Sequence, residues 1–348
     1  MNKTSELFAG ESTSPTIEAG IYSPRADFPA SSPTQERKKK TKERSRAFAT
    51  MARAKLISLA DAMIFCLGRG VIISIQLLPL TWVARLGRLS GTLAYHVDGR
   101  HRRIALGNLT SVFGREKSSD EIKAIARENF KRIGENHLSA IKTAAMSFES
   151  MRPHVEFTGQ ENLPQSRPEG KMINAVVGIG HFGNFELYAR VVEAIDHDRV
   201  ATTFRGVKPP ALNRLLQSLR GKNGCVFFER RTDGRALRAK LNQGGLILGL
   251  LADQSCAGMR APFMARDCHT GLAPATLALR YNAQLFTAIC YRTSLAKWRI
   301  DCGKPIPTRI NGVPRSSEDI MLDVNRELET AIRRDPANWF WVHRRWKN

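Results

Sequence analysis

The sequence predicts an α/β fold in which a mixed, mostly parallel sheet is flanked by helices. Between residues 173 and 302, short apolar runs alternate with amphipathic segments of helix length. The first run, 173–179, is β-branched and apolar, and it is followed by Gly180 and then by apolar residues at helical spacing. This order is typical of a buried parallel strand that leads into a helix.

The elements after this first strand follow the same alternation. We expect strands at 201–204, 225–228, 246–252, 284–291 and 298–302, and helices at 210–219, 235–241, 272–281 and 316–333. Before the sheet, Ser118 and Glu121 form a capping box that should start a further helix. Because strands alternate with helices, both faces of the sheet should be covered.

Residues 1–50 are predicted to form a disordered, basic N-terminal arm. Up to about residue 35 the arm is rich in Ser, Thr, Pro, Glu and Gly and lacks the composition to bury a core. It has no charged and apolar regions like those of a secretory signal. Nine Lys and Arg residues then lie between Arg37 and Lys55. They form either a solvated linker or an anchor on anionic lipid, where each contributes on the order of 1 kcal/mol.

Residues 51–110 are predicted to be a membrane-associated helical segment. Its apolar part, Leu56 to Ala84, is interrupted by Asp61 and Arg69. A spanning helix needs about 20 predominantly apolar residues, so an interfacial or re-entrant anchor fits better than a span. A buried core helix is the alternative. Since basic residues precede the segment, either membrane arrangement leaves residues 111–348 in the cytoplasm.

The charge indicates acidic partners, because 54 Lys and Arg residues against 32 Asp and Glu give a net charge of +22. Nucleic acid, anionic lipid and an acidic carrier protein all fit this charge, and composition does not choose among them. The six cysteines contain no C-x-x-C pair, which argues against disulfides and structural zinc and favours a reducing compartment.

His181 and Glu186 are the candidate catalytic residues. His181 follows the first strand, at the edge where open α/β sheets bind ligands. If His181 lies on the turn and Glu186 in the first helical turn, the carboxylate can reach the imidazole, and such a pair suits a base that deprotonates an alcohol. A structural pair is the alternative. Gly183 would leave room for substrate, and Asn184 would order the turn or stabilise an oxyanion.

Three polar residues at two further strand ends are candidate substrate ligands. Arg205 and Asp253 each follow a predicted strand, so both should face the same edge as His181. Arg205 suits a phosphate or carboxylate, and Asp253 with Gln254 suits sugar hydroxyls or an ion pair with Arg205. A surface arginine, a helix cap and a structural ion pair are the alternatives.

Four segments, in this order, resemble a known family. His181 to Glu186, H-F-G-N-F-E, resembles the H-x4-D/E motif of the late acyltransferases of lipid A biosynthesis, of the lauroyl- and myristoyltransferase type. Thr203 to Gly206 and Leu251 to Gln254 resemble the family's strand-ending Arg and Asp-Gln segments. Pro336 to Lys347 resembles its C-terminal P-x-x-Y-x-W-x-H-R-R-F-K motif. The resemblance covers about residues 55 to 347.

This resemblance implies an O-acyltransferase on the cytoplasmic face of the inner membrane, either peripheral or held by a single N-terminal anchor. It implies that a fatty acyl chain moves from a thioester, of acyl carrier protein or coenzyme A, to a hydroxyl of an anionic glycolipid, a lipid A precursor of lipopolysaccharide. No metal or cofactor and no nucleic acid would be needed. The base would be His181 with Glu186 as its partner, and the C-terminal tail would close the core near the site. The substrate would contact Gly183, Asn184, Arg205, Asp253 and Gln254.

Two other functions fit the sequence. Within the enzyme class, the acceptor would be another membrane lipid, such as a lysophospholipid, an aminoacyl lipid or a phosphoinositide mannoside. Outside it, the charge and the Trp-rich basic tail suit a nucleic-acid-binding or membrane-binding protein, although the sequence contains no recognisable nucleic-acid-binding module.

Overall fold

The computed structural model describes residues 33–162, 173–190, 200–220 and 224–346. The predicted disorder of the first part of the arm therefore lies outside the described residues. The contacts divide the chain into two units, residues 1–57 and residues 58–348, and the second unit contains the sheet and all the candidate site residues.

Four long helices come first in the described part of the chain. They are α1 (Pro33–Leu77), α2 (Leu80–Val97), α3 (Gly99–Phe113) and α4 (Ser119–Thr143). α1 begins within the predicted basic arm, so residues 33–50 are helical where we expected disorder. The predicted apolar segment 56–84 is divided between two helices at Pro79, because proline has no amide hydrogen to continue a helix but fits the start of one.

α4 begins at the predicted capping box. The Ser118 hydroxyl accepts a hydrogen bond from the Glu121 amide, and the Glu121 carboxylate accepts one from the Ser118 amide. α4 packs closely on α2 through glycines: a Cβ on Gly91 would lie 2.1 Å from the Phe130 carbonyl oxygen, and one on Gly134 would lie 2.1 Å from that of Gly87. Only glycine allows the two backbones to approach this closely.

The predicted α/β class and mixed sheet are confirmed. In chain order the strands are β1 (Val155–Thr158), β2 (Ala175–Ile179), β3 (Val200–Phe204), β4 (Val226–Glu229), β5 (Ile247–Leu251), β6 (Met259–Phe263), β7 (Arg266–Thr270), β8 (Gln284–Ser294), β9 (Lys297–Cys302), β10 (Arg309–Ile310) and β11 (Val313–Pro314). Seven of them form a sheet of order β1-β9-β8-β2-β5-β3-β4, in which β8 and β9 are antiparallel and all other neighbours are parallel.

Helices cover both faces of this sheet. In the described parts of the chain, the remaining α-helices are α5 (Phe148–Met151), α6 (Pro210–Arg220), α7 (Gly234–Gln243), α8 (Ala273–Arg280) and α9 (Ser317–Arg334). Along β2, Val176 belongs to one buried apolar cluster, whereas Ala175, Val177 and Ile179 belong to another. Because alternate residues of a strand point to opposite faces, the sheet has a core on each side.

Two predictions differ from the structure. The helix expected after His181 is a 3-10 helix at Phe185–Arg190, in which the Leu187 amide donates to the Asn184 carbonyl, and residues 191–199 lie outside the described residues. The β6–β7 hairpin was not predicted. Its two turn residues, Met264 and Ala265, adopt positive φ without being Gly or Asn, so the usual hairpin signal is missing.

Glu135 of α4 joins three elements of the core. Its carboxylate is fully buried and accepts hydrogen bonds from Arg292 Nε at 2.8 Å, the Ala296 amide at 3.0 Å and Arg88 Nη1 at 3.3 Å. Arg88 belongs to α2, Arg292 to β8, and Ala296 to the turn before β9. A buried charge with three donors fixes α4 relative to the sheet edge.

We expect Glu135→Ala to lower the free energy of unfolding by about 3 to 5 kcal/mol, because the largely buried Arg292 would lose its partner. The matched control is Glu128→Ala on the same helix. Glu128 pairs with Arg88 and Arg132 where all three side chains are still partly exposed, so its loss should cost less, about 1 kcal/mol. Denaturant unfolding of both variants measures the difference, and equal losses would contradict the assignment.

Candidate active site

His181 and Asp253 lie side by side at the carboxyl edge of the sheet because of strand register. β2 and β5 are parallel neighbours with Ile179 opposite Leu251, and each candidate residue follows its strand end by two positions. The Ala252 amide donates to the Ile179 carbonyl, which continues the pairing to this point. The register of two strands distant in sequence therefore brings an imidazole next to a carboxylate.

The Asp253 carboxylate is buried and accepts three hydrogen bonds. Its Oδ1 lies 2.9 Å from His181 Nδ1, while its Oδ2 accepts from the His181 backbone amide at 2.8 Å and from the Trp339 indole Nε1 at 2.9 Å. The carboxylate thus orients the imidazole through its ring and its main chain together. Trp339, from the C-terminal tail, holds the carboxylate in turn.

The charges of this pair stabilise each other. Burial alone would lower the pKa of His181, but the charge and hydrogen bond of Asp253, with a further contribution from the charge of Glu186, raise this pKa above its usual value. Burial opposes ionisation of Asp253, yet His181 holds the pKa of Asp253 well below its usual range. Asp253 is therefore a carboxylate at neutral pH.

The His181 ring presents Nε2 for chemistry. With a proton on Nδ1 directed at Asp253, the neutral ring keeps a lone pair on Nε2. Phe185 and Phe340 flank the ring, with centroids 4.9 and 5.8 Å away, and the Gln254 amide nitrogen lies 3.4 Å from both ring nitrogens. An imidazole oriented in this way, with a lone pair on Nε2 and only a 3.4 Å contact from Gln254 there, is the arrangement of a general base.

The predicted contact between Glu186 and His181 is replaced by another ion pair. Both Glu186 oxygens accept from Arg220 of α6, at 3.1 Å from Nε and 2.5 Å from Nη2. The 3-10 helix directs Glu186 towards α6, whereas the strand register already supplies His181 with Asp253. A catalytic role for Glu186 stays a prediction. Arg220 was not predicted, and nothing in its local sequence signals this contact.

Gly183 packs against the backbone of β8, a contact that the sequence does not predict. It has φ +51°, and a Cβ there would lie 2.5 Å from the Cys290 carbonyl oxygen of β8. Its amide donates to the Asn338 carbonyl at 3.1 Å. The glycine thus allows close approach of two backbones, and its amide is already occupied by the protein.

Asn184 and Arg205 both line cavities beside His181. Asn184 is 1% exposed, and neither polar atom of its side chain has a hydrogen-bond partner among the described residues. Its carboxamide can therefore bind a ligand. Arg205 follows β3 and is exposed at the rim of the other cavity, while Asp253 pairs with His181 instead of Arg205.

The described residues line two apolar cavities that meet at His181. The α4 cavity, of about 210 Å³, lies between α4, α6 and the tail. The sheet cavity, of about 300 Å³, lies along β2, β3 and β5. Their shared wall consists of His181, Phe185, Glu186, Ala189, Leu216 and Arg220.

The C-terminal tail closes the core beside this site. Trp339 and Trp341 are 1% and 0% exposed. The Asn129 amide donates to the carbonyls of Ala337 and Trp339, and the Asn108 amide donates to those of Trp341 and His343. The sequence predicts that the tail closes the core, but not that Trp339 bonds Asp253.

Known proteins resemble this chain over most of its length. The model of the family described as bacterial lipid A biosynthesis acyltransferase matches residues 50–348. The lipid A biosynthesis palmitoleoyltransferase of Escherichia coli (strain K12) is 24% identical over 296 residues, which cover 80% of this chain and 90% of that protein. The lipid A biosynthesis acyltransferase of Shigella flexneri matches to the same extent, at 24% identity over 296 residues. The chain therefore belongs to the bacterial lipid A biosynthesis acyltransferase family.

Proposed function

We propose that this protein transfers a fatty acyl chain from an acyl thioester, carried by acyl carrier protein, to a hydroxyl of a lipid A precursor at the cytoplasmic face of the inner membrane. One observation carries the proposal. The His181 imidazole is oriented by Asp253 at the junction of two apolar cavities, which is where a base must lie to join a hydroxyl to a fatty acyl group.

The base acts because an alcohol is too weak an acid to ionise before it reacts. His181 Nε2 takes the hydroxyl proton as the oxygen attacks the thioester carbonyl carbon, and Asp253 stabilises the imidazolium that forms. The tetrahedral intermediate then collapses with cleavage of the carbon–sulfur bond. The proton on Nε2 passes to the leaving thiolate, so the chemistry requires neither a metal nor a cofactor.

The Asn184 carboxamide is the candidate donor to the oxyanion. It is buried, lines the α4 cavity beside His181, and has no partner among the described residues. A pre-oriented donor stabilises the negative charge of the transition state most strongly in a site that contains little water. The Gly183 amide does not serve, since it already donates to Asn338.

Charge and cavity lining support the choice of substrates. Val177, Ile179 and Phe227 are among the apolar residues of the sheet cavity, a lining that suits a hydrocarbon chain. At the rim, Arg205 suits a phosphate of the acceptor. The net charge of +22 would attract an acidic carrier protein and an anionic glycolipid alike.

The proposal is tested by mass spectrometry of lipid A from cells with and without the gene, complemented with wild type or with His181→Ala. We expect loss of one acyl chain, restored by wild type alone, since removing a positioned base should slow turnover by about 10²- to 10⁴-fold. Restoration by His181→Ala would contradict the mechanism. Unchanged lipid A would move the acceptor to another membrane lipid, which acceptor profiling of the purified enzyme would identify.

The pH profile distinguishes Asp253 from Glu186 as the partner of the base. The base must be neutral, so kcat/KM should fall as the pH drops through the raised pKa of His181. Asp253→Asn removes the main cause of that rise, so the acidic limb should move to lower pH, with about 10²- to 10⁴-fold lower activity. Glu186→Gln should move the limb in the same direction but less. The reverse order would make Glu186 the partner.

Trp339 is expected to position Asp253, and Trp341 supplies the matched control. Trp339→Phe removes one donor to the carboxylate, so imidazolium should bind Asp253 more strongly and the acidic limb should move to higher pH. Activity should fall about tenfold, as for a lost hydrogen bond to a charged group. Trp341 is equally buried, but its indole donates to the Pro336 carbonyl. Trp341→Phe should leave the limb in place, and equal shifts would contradict the assignment.

A further inference from the structure

One narrow stripe of α1 contacts the part of the protein that contains the sheet and the candidate site, residues 80–346, called the body below. Between residues 61 and 76, the least exposed positions recur at steps of three and four residues, as on one face of a helix. These positions are Asp61, Phe65, Gly68, Ile72, Ile75 and Gln76.

Polar contacts fix this stripe near both of its ends. Asp61 accepts from the Ala211 amide and from Arg214 Nη2, each at 2.8 Å, and therefore holds the first turns of α6. At the other end, Gln76 bonds the last turns of α4. Its side chain donates to the Ile141 carbonyl at 3.1 Å, and Lys142 donates to the Gln76 carbonyl at 2.6 Å.

Two further contacts with α6 lie between these ends. A Cβ on Gly68 would lie 2.5 Å from Leu215 Cδ1 of α6, so the Leu215 side chain packs directly against the α1 backbone. The Arg214 guanidinium lies 5.3 Å from the centre of the Phe65 ring. At 1.5 Å per residue, residues 61 to 76 extend over about 22 Å, most of the roughly 30 Å thickness of a bilayer's hydrocarbon core.

A membrane-spanning α1 conflicts with this contact. By length and composition, Leu56–Leu77 is able to cross a membrane. If it crossed while docked, α6 would enter the hydrocarbon beside it and carry the half-exposed side chain of Arg214 with it. If it crossed undocked, α6 would lose its bonds to Asp61, and Asp61 itself would lie unpaired in lipid.

The faces that do not contact the body are apolar and exposed. On α1 they include Leu59, Met63, Leu67 and Val71, which are 57–69% exposed. On α2 an exposed stripe repeats at three- and four-residue steps and consists of Trp82, Leu86, Leu89, Leu93 and Val97. The Arg85 guanidinium lies over the Trp82 ring, 5.5 Å from its centre. An apolar face with Trp and Arg beside it is typical of a helix in the membrane interface.

We propose that α1 and α2 form an in-plane membrane anchor, whose exposed apolar faces lie in one leaflet of an anionic bilayer, so that α1 does not cross the membrane. Exposed apolar residues recur along two successive helices, which suits a bilayer surface. Basic residues lie on both sides of the apolar part of α1, nine between Arg37 and Lys55 before it and Arg85 of α2 after it. Since basic flanks stay on the cytoplasmic side, both ends of this apolar part favour the same side.

Spin labels on one face of α1 test this proposal. Leu59, Cys66 and Ile73 are exposed and lie seven residues apart, about 10 Å along the axis and nearly on one line. The full-length protein would carry one label at a time, as Leu59→Cys, native Cys66 or Ile73→Cys, with Cys256→Ser to remove the exposed thiol of the body and Cys66→Ser where needed. The depth of each label would be measured from its accessibility to oxygen and to a nickel chelate in vesicles of phosphatidylglycerol and phosphatidylethanolamine.

The in-plane anchor predicts equal depths for the three labels. A spanning helix would place the Cys66 label about 10 Å deeper than the other two, and that result would overturn the proposal. Labels at Leu86→Cys and Leu93→Cys should lie below the headgroups as well, whereas a label at the exposed Glu318→Cys of α9 should remain in water. If the labels at both α2 positions were exposed to water, α2 would not be part of the anchor.

Discussion

The Asp253 carboxylate is the constraint on which the site depends. A buried charge is costly unless donors surround it, and here the donors are the imidazole and amide of His181 and the indole of Trp339. These groups come from the ends of β2 and β5 and from the C-terminal tail. The carboxylate has all three donors only when the tail packs against the site. The orientation of the base therefore depends on the packing of this Trp-rich segment.

Most of the fold followed from local pattern, and the candidate site followed only in part. Alternating strands and helices placed His181, Arg205 and Asp253 at one sheet edge, because the carboxyl ends of parallel strands meet there. The carboxylate that bonds His181 in the structure is Asp253 and not the expected Glu186, because strand register, and not the five-residue separation in sequence, decides which carboxylate reaches the ring. No local signal reveals a register between strands 72 residues apart.

The Glu186–Arg220 pair gives the motif a different physical meaning. Both residues lie in the shared wall of two apolar cavities, where a lone carboxylate would be poorly solvated. Arg220 supplies Glu186 with a partner of opposite charge there, and Glu186 still contributes to the raised pKa of His181. In the proposed mechanism the pair fixes the wall between the cavities, and Asp253 orients the base.

Helix α6 connects the proposed anchor to this wall. Its first turns bind Asp61 of α1, its middle contributes Leu216 to both cavities, and its last residue, Arg220, holds Glu186. Eleven residues thus join the apolar surface of α1 to the junction at which His181 lies. If α1 lies in one leaflet, α6 holds the cavities beside that leaflet. The polar interruption at Asp61, which weakened α1 as a span in the sequence, is then what attaches the anchor to the enzyme.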